Sequence, residues 1–556
     1  MDKKRILMVN DAHFLLTGYG KYGRELLSRL SATKKYEIAE LACFGKIEDV
    51  KSDCNWLYYA NHVNGNHPLF QEYDETPDSK IGKWRFDKVC LDFKPDIVFA
   101  IRDPWVDRYI TNSSLRDFYN LTLMPTVDSI PYKTSWIDML SKVDNVFSYT
   151  DWGVDILRSY GVNAIGSAPC GCDSTIYKPS INKQAHKQQF NIYPHHKIIG
   201  MVGRNQIRKL FPSLFEAFKK YLSICVANNN QQLANDSYLY LHTSYPDFGG
   251  SGCWDIPELL KEHQLGRKVL FSYYCKHCKS TSCSFYKGKR APCTNCGSLD
   301  AYLPSSDTGY TEQQLASVYQ LFDLYIQYSS NEGLGIPAIE AASCGIPVME
   351  VDYSAMSDVV RKVNGVPIKV KHMHRDIYSG AYKAIPDDDD CAAKMYEILS
   401  KPTQLRDIVG RKCRDGVLTH YNWHRVAEIW ENHFDSVQLS GLQGKWDSAE
   451  RKVSVVFPQI PKDITHEQFV RWLIITIMQE PQLLDSKIEH EYIDKLYYGL
   501  VDGGSGKIAP FTRKMLYNQM KKYAINKHNI EQVRCGKQKM QNEDFLDFAK
   551  ERLMYI

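Results

Sequence analysis

Two successive runs of short apolar strands, each alternating with helical patterns, predict an α/β chain with two Rossmann-like, parallel-sheet domains facing a cleft. Length agrees, because 556 residues exceed a single core and about 150 residues per domain allows three or four units. Near residue 438 the strand rhythm stops and helical periodicity takes over, which predicts a further body. The expected boundaries are residues 1–195, 196–437 and 438–556.

In the first domain the strand-like runs are Arg5–Val9, Ile38–Ala42, Ile97–Ile101, Leu121–Met124 and Val146–Tyr149. In the second they are Lys197–Val202, Ser237–His242, Lys268–Phe271, Leu324–Gln327 and Pro347–Glu350. Such βα units place a ligand at the carboxyl ends of both sets of strands. Asp387-Asp-Asp-Asp390 is the one charge run; lying before the helical pattern Cys391–Leu399, it reads as a helix cap rather than a metal-binding acidic motif. Tyr421–Trp430 has apolar residues at helical spacing. Beyond residue 438, helical patterns at Glu467–Leu473 and Ile488–Tyr497 and a basic segment from Ser505 to Asn542 predict a small helical accessory domain, its cations a solvated surface or a surface for an acidic partner.

The densest chemistry lies in Asn331-Glu-Gly-Leu-Gly-Ile-Pro-Ala-Ile-Glu340. The apolar run Leu321–Gln327 leads into a glycine turn, after which Pro337 suits the first helical position and Glu340 the first turn. Gly333 and Gly335 let the backbone approach a ligand, and the free N–H groups at a helix start favour phosphate. Glu332 and Glu340 can accept hydrogen bonds from hydroxyls on either side of that phosphate, which is the layout of a nucleotide sugar. Taken singly, they also read as a solvated turn acid and a helix N-terminal acid.

Glu332 to Pro347 resembles the paired-glutamate signature of retaining, nucleotide-sugar-dependent glycosyltransferases of the GT-B fold, the family that includes sucrose and glycogen synthases and many mannosyltransferases. The resemblance extends in the family's order to Gly18-Tyr-Gly-Lys-Tyr-Gly23, Pro169-Cys-Gly-Cys-Asp173 and Val202–Lys209. It implies an acceptor-side first domain and a donor-binding second domain. Arg204 and Lys209 would hold the diphosphate and stabilise its departure, and Glu332 would bind the transferred sugar. Glu340 would take the ribose hydroxyls, and Gly333, Leu334 and Gly335 would cradle sugar and phosphate with N–H groups. Gly18 and Gly20 would border the diphosphate and acceptor. Asp128 falls where many members carry a histidine near the reacting sugar; it is assigned to the catalytic set, and also reads as a strand-end turn acid. Cys170 replaces another frequent histidine and is expected in a structural turn. Arg208 has no family role and reads as a solvated basic residue. In the family the helix matching Tyr421–Trp430 crosses back to the first domain. No protein nucleophile is assigned, the leaving phosphate helping to deprotonate the acceptor. A lone glycine-rich turn also suits a dinucleotide fold, but that reading wants an acid ending the second strand, where Ala42-Cys-Phe-Gly45 stands instead.

Cys275-Lys-His-Cys278 and Cys293-Thr-Asn-Cys296 have zinc-ribbon spacing, which predicts one structural zinc ion (Zn2+) on four thiolates in a module inserted at residues 273–298. Cys283 and His277 are the competing ligands. Lys279, Lys287, Lys289 and Arg290, with Phe285 and Tyr286, lie between the knuckles, a combination that suits nucleic acid as well as a plain stabilising insert. The leading expectation is therefore a hexosyl- or pentosyltransferase using a nucleotide sugar, with hydroxymethylated pyrimidines in DNA as acceptor, as in bacteriophage base modification. The alternatives are a polysaccharide, lipid or protein acceptor, and a non-catalytic nucleic-acid-binding module on a transferase fold. Hydrophobic content of 44%, charged content of 24% and a net charge of +4 are those of an ordinary globular chain. The start Met1–Asn10 has no signal-peptide pattern, and the apolar piece Trp472–Met478 falls short of the roughly 20 residues of a membrane span, so a cytoplasmic protein is expected.

Overall fold

The computed structural model describes residues 3–46, 54–65, 70–246, 252–305, 310–377, 379–446, 460–461, 464–478 and 517–518. Its strands are β1 (Arg5–Asp11), β2 (Glu37–Cys43), β3 (Leu57–Ala60), β4 (Ile97–Ala100), β5 (Asn120–Leu123), β6 (Asn145–Ser148), β7 (Ala164–Ser167), β8 (Lys197–Val202) and β9 (Ser237–His242). They continue with β10 (Val269–Cys275), β11 (Thr281–Phe285), β12 (Arg290–Ala291), β13 (Ala301–Tyr302), β14 (Leu324–Gln327), β15 (Val348–Val351), β16 (Val366–Ile368), β17 (Val370–Arg375) and β18 (Tyr382–Pro386).

The first seven strands form one sheet in the order β3-β2-β1-β4-β5-β6-β7, and every pairing in it is parallel. The central strands are buried on both faces, as helices on either side of a parallel sheet require. The second, nine-stranded sheet runs β12-β13-β10-β9-β8-β14-β15-β16, with β11 also on β10. Sequence periodicity finds the long apolar strands. It misses β3 and β7, which are only partly buried, and β17–β18, a hairpin with mostly exposed polar residues. Asp387 caps the helix Asp388–Leu399, its carboxylate accepting from the N–H groups of Asp389 and Asp390.

The helix Trp423–Ser436 returns to the first half. Its Trp430 indole N–H donates to the Tyr22 hydroxyl at 2.8 Å. The Lys4 ammonium donates to the carbonyls of Phe434 and Val437, satisfying the helix's last turn with a cation where the dipole is negative. Gly171 packs against Trp423 so closely that a Cβ there would stand 2.5 Å from the indole, and Cys170 is buried in the same turn.

Two compact units result. Both sheets belong to the first, residues Met1–Phe86, Pro95–Thr111 and Asn120–Gln438. The second begins at Leu439 and takes in two pieces of the amino-terminal half, Asp87–Lys94 and Asn112–Tyr119. Within it the Phe118 and Trp446 rings stand 5.3 Å apart, and Thr465 and Gln468 form a capping box on the helix His466–Trp472. The helical pattern at Ile488–Tyr497 and the basic segment expected from Ser505 lie outside the described residues, apart from Tyr517 and Asn518.

Candidate active site

Strand order places the site. In the second sheet the order reverses between β8 and β14, so the loops leaving those two strands diverge and open a crevice at their carboxyl ends. The β8 loop carries Arg204, Arg208 and Lys209, and the β14 loop carries Asn331, Glu332, Gly333, Leu334 and Gly335. The loops are stitched together by Leu210 N–H to the Tyr328 carbonyl, 3.1 Å, and Ser330 N–H to the Arg208 carbonyl, 2.9 Å.

Glu332 is the centre of this crevice and is 6% exposed. Lys209 and Arg208 each form an ion pair with its carboxylate, one on each oxygen. Gln327 Nε2 donates to Oε1 as well, at 2.9 Å, and is held by the Tyr325 hydroxyl. Burial pushes the Glu332 carboxyl up, but the two cations more than reverse this and bring it down to about 2. Burial pulls the Lys209 ammonium down to about 8, against the attraction of Glu332 and with the repulsion of Arg208. One anion between two cations explains why both partners shift down, and the pair is ionised at neutral pH. Arg208, read in the sequence as a solvated turn residue, is instead part of the site, because its side chain folds back along the Asn331 carbonyl to reach Glu332. Arg204 is exposed on the same loop.

The glycine turn is shaped by close approach. Gly335 has φ of +92° and forms the N-cap of the helix Ile336–Ser343, with no side chain capping it. Pro337 therefore occupies the second helical position and Glu340 the second turn, each one step later than the sequence pattern suggested. A Cβ on Gly333 would stand 2.4 Å from the Thr126 methyl, so this loop lies directly against the first half. Beneath it, Glu350 on β15 pairs in register with Gln327 and is fully buried. Neither Glu350 oxygen has a hydrogen-bond partner, and one lies 3.8 Å from where a Gly335 Cβ would be. Burial, with Glu332 nearby, holds this carboxyl well above the usual range.

The first half supplies the opposite wall. Asp128 accepts from Asn331 Nδ2 at 2.6 Å, a contact across the cleft. Tyr19 and Thr126 exchange a hydrogen bond at 2.9 Å beside Asp103, whose carboxyl burial raises. Gly18 opens the helix Gly18–Thr33 behind the N-cap Thr17, and a Gly18 Cβ would meet the Ile336 side chain at 3.4 Å. Gly20 is required more strictly, since a Cβ would lie 2.5 Å from the Leu15 carbonyl oxygen. Lys21 reaches over to Glu340 at 2.8 Å and Glu312 at 2.9 Å, and the Tyr319 hydroxyl donates to the other Glu340 oxygen.

At the far end of β10 the four cysteines meet, and their sulfurs lie within 4.8 Å of one another. Cys275 and Cys296 Sγ are 3.7 Å apart, as are Cys278 and Cys293. The two turns match: each first cysteine N–H donates to a carbonyl five residues on, and Lys279 and Gly297 take positive φ at equivalent positions. Cys283 points elsewhere, to the Phe190 carbonyl. The ligand atoms of His195, His196 and Asp236 also lie within 4.8 Å of one another, just before the amino ends of β8 and β9.

The architecture is that of two-domain GT-B glycosyltransferases. Residues 308–412, which hold Glu332, Glu340 and Glu350, match the family Glycosyl transferases group 1. The fold is similar to that of sucrose-phosphate synthase from Thermosynechococcus elongatus, with TM-score 0.57 and 15% identity over 78% of this chain and all of that one. It is similar as well to Anabaena HepE in complex with UDP-glucose, with TM-score 0.53 and 13% identity over 78% and 100% of the two chains. Among curated sequences, a D-inositol 3-phosphate glycosyltransferase of Saccharomonospora viridis is 28% identical over 116 residues, covering 21% of this chain. The chain thus spans 23% of that relative's length. Among the described residues no helix is long and apolar enough to cross a membrane.

Proposed function

We propose that the protein is a retaining glycosyltransferase that takes a sugar from a nucleotide-sugar donor and delivers it to the hydroxymethyl group of a modified pyrimidine in DNA. The observation that supports the first part is Glu332 held between Lys209 and Arg208 at the strand reversal, facing Asp128, Asp103 and Tyr19. A donor diphosphate lodged there meets two cations and the uncapped N–H groups at the start of the Ile336–Ser343 helix. As the glycosidic bond breaks, negative charge grows on that diphosphate, and the cations stabilise it; each such group contributes about 3 kcal/mol to the transition state. Arg204 on the same loop completes the set. Glu332 orients the sugar hydroxyls, while Asp128 orients sugar or acceptor from the other wall. Glu340 receives the ribose hydroxyls. The leaving phosphate accepts the acceptor's proton on the same face, so no carboxylate acts as nucleophile.

The four thiols fit zinc. A tetrahedral ion with Zn–S of about 2.3 Å requires sulfur edges of about 3.8 Å, which the paired 3.7 Å separations match. Cys275, Cys278, Cys293 and Cys296 would hold it as a closed structural site. The DNA part of the reading rests on the exposed residues Lys276, Lys279, Lys287 and Lys289 of this module, together with the exposed Phe285.

The test is incubation with nucleotide sugars and hydroxymethylated duplex, followed by digestion and mass spectrometry of the nucleosides. A hexose or pentose mass increment is expected, lost in Glu332→Ala by about 100-fold or more with the fold intact. No increment with any donor sinks the DNA acceptor, and full activity in Glu332→Ala sinks the site.

A further inference from the structure

Strand pairing fixes where the four-cysteine module stands. β11 pairs with β10 from Leu270 to Tyr274 along one whole edge. A strand has two edges, so β9, which pairs at Val269–Phe271, and β13, which pairs at Tyr274–Cys275, share the other edge end to end. β13 therefore stands beyond the carboxyl end of β9. β12, paired to β13, lies one strand further over, in line with β8. Those carboxyl ends are the ligand-binding rim of a parallel α/β sheet, and β8 leads straight into the loop of Arg204, Arg208 and Lys209.

One observation points to a ligand beneath this overhang, and a second connects the module to the site. Thr243, the residue that follows β9, is 2% exposed and its hydroxyl has no hydrogen-bond partner. A hydroxyl buried without a partner costs about 1–3 kcal/mol and wants a polar group to meet it. The module is also tied to the site by one helix. Gln314 Nε2 on the helix Glu312–Tyr319 donates to the Lys279 carbonyl of the first knuckle at 3.2 Å. The same helix presents Glu312 to Lys21 and Tyr319 to Glu340. One helix thus contacts both the first knuckle and the groups around Glu340.

We propose that the four-cysteine module is a metal-held roof over the nucleotide end of the donor site, β12–β13 overhanging Thr243, so that zinc loading sets the affinity for the nucleotide. The inference rests on the nucleotide-sugar reading. The underside of the module then meets the donor while its exposed cations remain available outside. Thr243 donates or accepts one hydrogen bond to the nucleotide, and the metal keeps the roof ordered before the ligand arrives.

The experiment is isothermal titration of the full chain with UDP, GDP and ADP, zinc content measured in parallel. The zinc-loaded protein is expected to bind at least one of the three. Removing zinc with a chelator should weaken that Kd by about tenfold or more, and one equivalent of zinc should restore it. Thr243→Val, which keeps the metal, should weaken it about fivefold. An unchanged Kd in folded, zinc-free protein overturns the inference and leaves the transferase reading standing. Should the zinc-free chain fail to fold, Thr243→Val decides, an unchanged Kd overturning the roof. Failure of the zinc-loaded protein to bind any of the three brings down the nucleotide-sugar reading and the inference with it.

Discussion

At the scale of single residues, the site is governed by two buried carboxyl groups whose surroundings shift them in opposite directions. Glu332 is ionised because it has Lys209 and Arg208; Glu350, on β15, has no hydrogen-bond partner, and burial holds its carboxyl well above the usual range. Lys209 must be protonated to stabilise a departing diphosphate, and its pKa is lowered to about 8. Activity is accordingly present below that pH and lost above it. The profile of kcat/KM against pH should show an alkaline limb near 8, which Lys209→Arg removes; a flat profile to pH 10 would contradict the role of Lys209. For Glu350 the sign runs the other way. A carboxyl raised in the folded state holds a proton that the unfolded chain releases, so its contribution is present below the unfolded value of about 4.3 and is lost as pH rises. Glu350→Met removes the unpartnered carboxyl at similar volume. It should stabilise the protein by about 1–3 kcal/mol at pH 8 and by less at pH 5, read by urea unfolding.

At the scale of elements, the helix start after β1 shows how much a short motif specifies. Gly20 lies in the first turn of Gly18–Thr33, with the Leu15 and Ala12 carbonyl oxygens at 2.5 and 2.9 Å from any added Cβ. Backbone atoms cannot move aside as a side chain can, so Gly20→Ala should cost about 1–3 kcal/mol in chemical denaturation, while Gly18→Ala, facing only the Ile336 methyl at 3.4 Å, should cost less. Motifs of this kind were legible because local chemistry alone dictates them: glycine at a tight turn, Asp387 at a cap, paired cysteines at knuckles. What was not legible depends on partners distant in sequence. Arg208 looked like solvent-exposed charge because its partner is Glu332, and Lys21 carried no signal because Glu340 lies 319 residues away. Asp103 and Tyr19 join the site only through the sheet order. One signal was available and unread: Glu350 interrupts the otherwise apolar run Val348–Val351, and an acid there asks what faces it.

At the scale of the whole fold, the two sheets of the first unit meet through charges that cross between them. Lys21 binds Glu340 and Glu312, Arg24 approaches Glu312 at 3.4 Å, and Lys362 binds Asp151 at 2.7 Å. These are unequal in weight. Lys362–Asp151 is a rim pair with Asp151 largely exposed, and such pairs contribute about 0–1 kcal/mol. Lys21 and Glu340 are 13% and 6% exposed, so loss of Lys21 leaves Glu340 buried with the Tyr319 hydroxyl in place of a cation, and loss of Glu340 leaves Lys21 with Glu312 alone. Loss of one partner from such a pair costs about 3–5 kcal/mol, whereas loss of both costs far less. Lys21→Met and Glu340→Met should therefore each lower stability strongly, and the double variant should lie well above their sum, a coupling of about 1–3 kcal/mol by urea unfolding. Glu312, which also holds Lys21, caps the effect: in a Glu312→Gln background the Lys21–Glu340 coupling should grow, because the ammonium then has one carboxylate in place of two. Strict additivity of the two single substitutions would show that the sheets are held by the Trp423–Ser436 helix and its contacts to Tyr22 instead.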